Sequence, residues 1–274
     1  MPVARRRTLA LAGLRFLTGA VCLWLFAVPG LVVIVSAFAS DWVATVLPTS
    51  FTLRWFEHFD ATDVDAMLTS FEVAGMVAAL GTILGLWLAI SLNPLEGRRL
   101  GGLLDAVIMV PNSVPSVVLG LAVLLAYHAP PLDISGSWAI VVLVQTALVM
   151  PFCYRMCAAA LKQEIPVFRE AAASLGAPPA MVLRRVILPL LEPAIRASVA
   201  LAFAFSIGDL GATLMVYPPG FATVPIVVIE DVERGFYYRA SALALILLVL
   251  SLASLVLVAG RGRRAKVAAV AMER

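Results

Sequence analysis

The chain is short of charge. Only 14% of its residues are Asp, Glu, Lys or Arg. Lysine is nearly missing, with Lys162 and Lys266 alone. Neither follows a glycine in a G-x-x-x-x-G-K-[ST] loop, so the chain cannot cradle nucleotide phosphates as an ATPase does. Histidine is as scarce. His58 and His128 fall in predicted loops, and no paired carboxylates stand inside the apolar runs. That disfavours an intramembrane hydrolase, which needs positioned acid and base groups. The three cysteines, Cys22, Cys153 and Cys157, lie in or at the ends of apolar stretches. Cys153 and Cys157 are four apart on a predicted helix with no histidine cluster near them. They read as small hydrophobes with free thiols, not as a metal site or a disulfide. A net charge of +3 in so oily a chain is no nucleic-acid signal; its distribution is what matters.

What is present is apolar. The composition is 62% hydrophobic and the mean hydropathy is +1.00. These values describe an all-α polytopic membrane protein. A spanning helix needs about 20 mostly apolar residues, and the sequence offers about six such runs. Residues 1–15 form a basic tail with Arg5, Arg6, Arg7 and Arg15. The run after it, Phe16 to Ala39, is too long for a signal peptide and shows no small-residue cleavage site. It is the first expected span, with a kink at Pro29-Gly30. Ser40 to Met67 reads as an acidic loop. The second span, Leu68 to Leu92, carries Gly75, Gly81 and Gly85 at spacings that suit close helix packing. Glu72, near its outer end, reads as interfacial. Asn93-Pro94 ends the span. The third, Leu103 to Tyr127, is interrupted by Pro111-Asn112-Ser113-Val114-Pro115, so a broken helix is expected. The fourth is Trp138 to Cys157, kinked near Pro151. The fifth is Pro193 to Val216, and Tyr217 to Arg239 is a loop. The sixth is Ala240 to Ala259. The organisation is thus a tail at 1–15, a six-helix membrane domain at 16–260 and a second basic tail at 261–274.

Charge fixes the expected orientation. All but Arg54, Arg234 and Arg239 of the 20 Lys and Arg fall on one side of this layout. Positive charge concentrates on the cytoplasmic side. Both termini are therefore expected in the cytoplasm. The opposite face collects acids, among them Asp41, Glu57, Asp60, Asp63, Asp65, Asp133, Glu230, Asp231 and Glu233. That face either steers a basic partner surface or is simply solvated.

Between the fourth and fifth spans lies a polar, basic island, Glu170 to Pro189, EAAASLGAPPAMVLRRVILP. Pro166 suits the first turn of a helix, and Phe168 to Leu175 is rich in helix formers. Gly176 offers the left-handed residue that closes helices. Pro178 and Pro179 cannot continue that helix but can begin another. A helix–Gly–helix elbow is expected, with small residues, Ala172, Ala173 and Gly176, where another surface can approach closely.

The island resembles the EAA loop of permease subunits of bacterial ABC importers. The matching positions are Glu170, Ala171, Ala172, Gly176, Val186, Leu188 and Pro189; the family often has Ile where Val186 stands. The resemblance covers roughly residues 70 to 260. It implies a type I importer permease fold with a cytoplasmic coupling loop at about 158–192, docked on a separate ATPase subunit dimer. It implies also a second permease subunit, either a second copy or a paralogue, and a periplasmic or lipid-anchored solute-binding protein. The cell would be bacterial and the membrane its inner one. ATP and Mg would sit on the ATPase, with no cofactor in this chain. The segment FSIGDLGATLMVYPPGFATVPIVVIEDVERG is similar to permeases for thiamine, 2-aminoethylphosphonate and ferric iron. Of these, 2-aminoethylphosphonate or thiamine is the expected solute. Permeases for polyamines, sulfate and molybdate share the layout.

For the pathway, the candidates are Ser206, Gly208 and Asp209, with Pro111 and Pro115 in the broken third span. A carboxylate within a span is costly and by default functional. Asp209 either lines the pathway or bonds neighbouring backbone and shapes its helix. A secondary transporter, the reading from another class, would carry several intramembrane acids and an inverted repeat. One acid and no clear repeat are found. A membrane scaffold would have spans without pathway residues.

Overall fold

The computed structural model describes residues 2–42, 45–57, 59–95, 97–162 and 165–272. His58 and Glu96 lie outside them. Fourteen helical and strand elements follow in chain order: α1 (Pro2–Ala37), β1 (Ala39–Asp41), β2 (Ser50–Phe51), α2 (Arg54–Glu57), α3 (Ala61–Leu92), α4 (Arg99–Met109), α5 (Ser116–Ala126), α6 (Trp138–Lys162), α7 (Ile165–Ser174), α8 (Pro179–Val182), α9 (Leu188–Ile207), α10 (Thr213–Val216), α11 (Val224–Glu233) and α12 (Tyr237–Met272). Among the described residues, five helices are long and apolar enough to cross a membrane, and a sixth is reached when α4 with the turn after it and α5, bent by 103° to each other, are counted as one broken span. The expected break in the third span is therefore present. Pro111 opens a 3-10 turn over Val110–Ser113, and Pro115 caps α5. Neither proline has an N–H to extend the helix before it.

The chain divides into two compact units. The larger comprises Ala61–Val227 with Leu247–Arg274. Its centre is the packing of α3, α6 and α9. Val73, Val77, Ile140, Val144, Leu148 and Ala202 are buried there. Gly81 and Gly85 turn the face of α3 against α6. A Cβ on Gly85 would lie 2.6 Å from the backbone nitrogen of Tyr154. Only a bare backbone fits at that distance. Gly75 differs from expectation: nothing lies within 4 Å of its virtual Cβ.

The smaller unit, Met1–Asp60 with Val228–Ile246, carries polar contacts among its loops and helix ends. The Tyr238 hydroxyl accepts from the backbone N–H of Trp42 at 2.7 Å. The indole of Trp55 donates to the Ala39 carbonyl at 2.8 Å. Asp231, only 2% exposed, takes both carboxylate oxygens to Arg239 at 2.6 Å. Glu230 pairs with Arg234 one turn on. Two of the three acids clustered there are thus neutralised within the chain, and only Glu233 stays exposed and unpaired among the described residues. The acidic outer face is less free than the sequence suggested.

Three span boundaries move. The loop expected to run to Met67 ends earlier, because Asp63 and Asp65 stand in the first turns of α3, where acids suit the helix dipole. Asp63 is buried rather than solvated. The loop from Tyr217 to Arg239 contains α11, whose first N–H, at Val224, is taken by Ser70 Oγ at 2.8 Å. The fifth span starts upstream, at Pro179, and ends at Ile207. Prolines 29 and 151 sit inside α1 and α6 without interrupting them. Exposed large apolar residues such as Leu23, Trp24, Ile83 and Val256 cover the outside. In lipid that is the expected surface, with backbone bonds satisfied inside each helix.

Candidate functional site

The elbow folds as its residues dictate. The last turn of α7 closes on Gly176. The Gly176 N–H reaches the Ala173 carbonyl at 2.9 Å, and the Ala177 N–H reaches the Ala172 carbonyl at 3.1 Å. These two bonds form a Schellman closure, with Gly176 in the left-handed region at φ +74°. Pro178, with φ −66° and ψ 149°, is the N-cap of α8, and Pro179 is its first residue. Ala172 is half-buried, whereas Glu170, Ala171 and Gly176 are exposed. Arg169 donates to the side-chain oxygen of Asn93 at 3.2 Å, so α7 is tied to the end of α3. Apolar side chains face outward here. Leu175 is 88% exposed and Val167 is 69% exposed.

The Leu-Pro end of the motif has its own physics. Between α8 and α9 the backbone widens into a π-helical turn over Leu183–Ile187. The Leu188 N–H bonds to the Leu183 carbonyl, five residues back. Pro189 follows. It has no N–H for the Arg185 carbonyl, and its ring would clash with that carbonyl in a regular α-turn. The wider turn admits the proline without breaking the helix. Val186 lies in this turn and Leu188 opens α9, both half-buried.

The pathway candidates sit at the other end of α9. Asp209 is not inside a helix. Gly208 ends α9, and a short irregular stretch precedes α10. The half-buried Asp209 accepts from the backbone N–H of Thr213 at 3.0 Å and from its hydroxyl at 2.8 Å. That Thr213 hydroxyl accepts from Gln145 Nε2 at 2.7 Å. Gln145 Oε1 in turn accepts from Ser206. Four side chains from α6, α9, the break and α10 thus form one directed chain ending on the carboxylate. Ser206, Gln145 and Thr213 are buried. Buried polar groups that are all satisfied specify a unique arrangement. Gln145 and Thr213 were not singled out in the sequence. They are uncharged and 68 positions apart.

The two breaks also meet. A Cβ on Gly211 would fall 2.4 Å from Ser116 Oγ. Ser116 follows Pro115, so the turn of the broken third span touches the stretch after Asp209. Pro111 lies half-buried at the far end of that turn.

Residues 81–266 match the family described as Binding-protein-dependent transport system inner membrane component. The chain is 32% identical over 223 residues to a protein of Salmonella typhimurium strain LT2 whose name assigns it to 2-aminoethylphosphonate transport as permease PhnV, covering 81% of this chain and 83% of that one. It is 32% identical over 212 residues to the molybdenum transport system permease protein ModB of Mycobacterium tuberculosis, covering 74% and 80%. It is 27% identical over 225 residues to the putrescine transport system permease protein PotI of Escherichia coli K12, covering 80% of each. Among solved structures, a bacterial ABC transporter involved in alginate import aligns over 95% of this chain and 96% of its own, with TM-score 0.75 at 15% identity. The MetNI methionine ABC transporter aligns with TM-score 0.60 at 19% identity, over 74% and 93%. At such identities the likeness is one of fold.

Proposed function

The chain belongs to the binding-protein-dependent transport system inner membrane component family, and from that premise we propose how this ABC importer permease subunit is oriented, coupled and loaded. Both termini and the elbow face the cytoplasm. The basic residues at 98–99 end one span and those at 162–185 follow another, so the chain crosses twice between them. The bent pair α4–α5 and then α6 make those crossings.

The elbow engages a separate ATPase dimer that holds ATP and Mg2+. The carrying observation is its geometry: a glycine-closed turn with Glu170 exposed beside outward-facing Val167 and Leu175. Exposed apolar residues beside charge mark a docking surface. A second permease subunit, identical or paralogous, completes the pathway, and a periplasmic solute-binding protein loads it. The solute we favour is 2-aminoethylphosphonate, supported by the PhnV likeness; thiamine is the weaker choice, with nothing beyond sequence resemblance behind it.

The test is co-purification of the ATPase with the tagged permease, read beside ATPase stimulation by loaded binding protein. Glu170→Lys should weaken both while the permease still inserts and pairs. An unchanged complex, fully stimulated, would remove the elbow from the coupling surface. Uptake of labelled 2-aminoethylphosphonate by the reconstituted complex checks the solute.

A further inference from the structure

A cavity of about 490 Å3 opens beside α3 and is lined by Thr69, Glu72, Val73, Met76, Trp138 and Phe221. The four α3 residues recur at helical spacing and so share one face. Glu72 is the only charged residue from Ala66 to Asn93. Among the described residues no cation lies within ion-pair distance of it. The rest of the lining is one hydroxyl, two aromatic rings, a thioether and a valine.

The loop carrying Phe221 is held in place. Pro219 and Gly220 form the centre of a turn closed by the Phe221 N–H on the Pro218 carbonyl at 3.2 Å. Gly220, at φ +76°, supplies the left-handed residue a type II turn requires. Three residues on, Val224 is bonded to Ser70 of α3. The ring is therefore presented to the face of α3 that bears Glu72, not left on a free loop.

One carboxylate with aromatic faces and a soft sulfur suits an organic ammonium. The carboxylate supplies the counter-charge, and the ring faces attract a cation through their quadrupoles. A hard metal ion would need six or more oxygens, which this lining lacks. A bare oxyanion would meet like charge. We propose that this pocket receives the ammonium group of a small aminated solute on its way into the membrane domain. The proposal rests on the importer reading above and narrows its solutes to those carrying an amine. Glu72 lies about 16 Å along α3 from its first residue, at 1.5 Å per residue. That is a third of the way along the 32-residue α3, on the side nearer the end that would face the binding protein, where a solute would first arrive.

The experiment uses the assembled complex of both permeases, ATPase and binding protein. Thr69→Cys, in a Cys22→Ser background, places a thiol in the pocket. Its reaction with a neutral methanethiosulfonate should slow at least threefold with 2-aminoethylphosphonate and not with ethylphosphonate, which lacks the amine. Glu72→Gln should abolish the protection, and Glu72→Asp should keep it. Uptake at subsaturating solute should fall at least tenfold in Glu72→Gln. Protection that persists in Glu72→Gln, or that ethylphosphonate gives equally, overturns the proposal. If the wild-type complex does not take up 2-aminoethylphosphonate, the solute assignment falls by itself. Protection by putrescine or ethanolamine would then still carry the pocket, and protection by no amine would overturn it.

Discussion

Gly176 separates backbone strain from contact with a partner. Its φ is +74°, and among the described residues nothing beyond its chain neighbours lies within 4 Å of a Cβ built there. A Cβ there therefore meets open space on the permease itself. What it pays is conformational: about 1 kcal/mol for holding a Cβ residue left-handed. About 1 kcal/mol corresponds to roughly a fivefold loss of the closed elbow. Gly176→Asn should lose less, because asparagine tolerates that region. Gly176→Ala should lose about fivefold in ATPase affinity. Gly176→Leu has the same backbone cost in the isolated permease, so any larger loss must come from the surface that docks there. The assay is ATPase titration onto nanodisc-held permease pairs, with uptake measured in parallel. We expect the order Gly, Asn, Ala, Leu, with uptake abolished in the leucine variant. Equal loss in the alanine and leucine variants would refute close approach of a partner. Full ATPase binding by both would refute the strain argument as well.

Four other outcomes are expected. In a Cys22→Ser background, Thr62→Cys should be labelled from outside intact cells by an impermeant reagent and Pro179→Cys should not; labelling at 179 would sink the six-span orientation. Thr62 is exposed, whereas the neighbouring Asp63 is buried. Asp231→Asn should destabilise by about 1.5–3 kcal/mol, since it weakens a charge-assisted pair to Arg239 that keeps Asp60 nearby, while Glu233→Gln should leave thermal unfolding unchanged; equal effects would contradict the pairing. Asp209→Asn retains an oxygen for Thr213, so the complex should assemble while uptake drops, and loss of the folded complex instead would assign the carboxylate to structure alone. Pro189→Ala restores an N–H to the Arg185 carbonyl and should regularise the π-turn. That would turn the elbow about the axis of α9 and leave ATP hydrolysis uncoupled from uptake; normal coupling would show the turn to be incidental.

Much of the fold was legible because its signals are local. Gly176, Pro178 and Pro179 each act on their own backbone, so the elbow could be read residue by residue. Pro111 and Pro115 announced the break in the third span for the same reason. The misplaced boundaries have the opposite character. Asp63 and Asp65 look like loop residues until α3 begins beneath them and their charge meets its N-terminal dipole. Leu210 to Val216 continues the apolar pattern of α9, so hydropathy alone carries the fifth span through the break at Gly208. Gly75, Gly81 and Gly85 look alike in the sequence, but only Gly81 and Gly85 face α6. The chain from Ser206 to Asp209 was half-visible. Its ends were singled out, while its middle, Gln145 and Thr213, is neutral and joins only through tertiary packing.

That middle gives the elbow something to act on. From Pro179 to Ile207 the helix runs 29 residues without a break. At 1.5 Å per residue this is about 43 Å of rod. The π-turn lets Pro189 sit within it, so α8, the second half of the elbow, and the Ser206 end belong to one continuous helix. Ser206 holds Gln145 of α6, and Gln145 holds Thr213, whose hydroxyl holds Asp209. On the proposed coupling, a tilt at the elbow would arrive at a hydrogen-bonded break, not at a packed apolar face. A directed polar chain is either made or broken. Coupling over such a distance needs an element with two discrete arrangements that both ends bias. On the proposed coupling, the rod would be the lever, and the chain from Ser206 to Asp209, made or broken, would be the two arrangements.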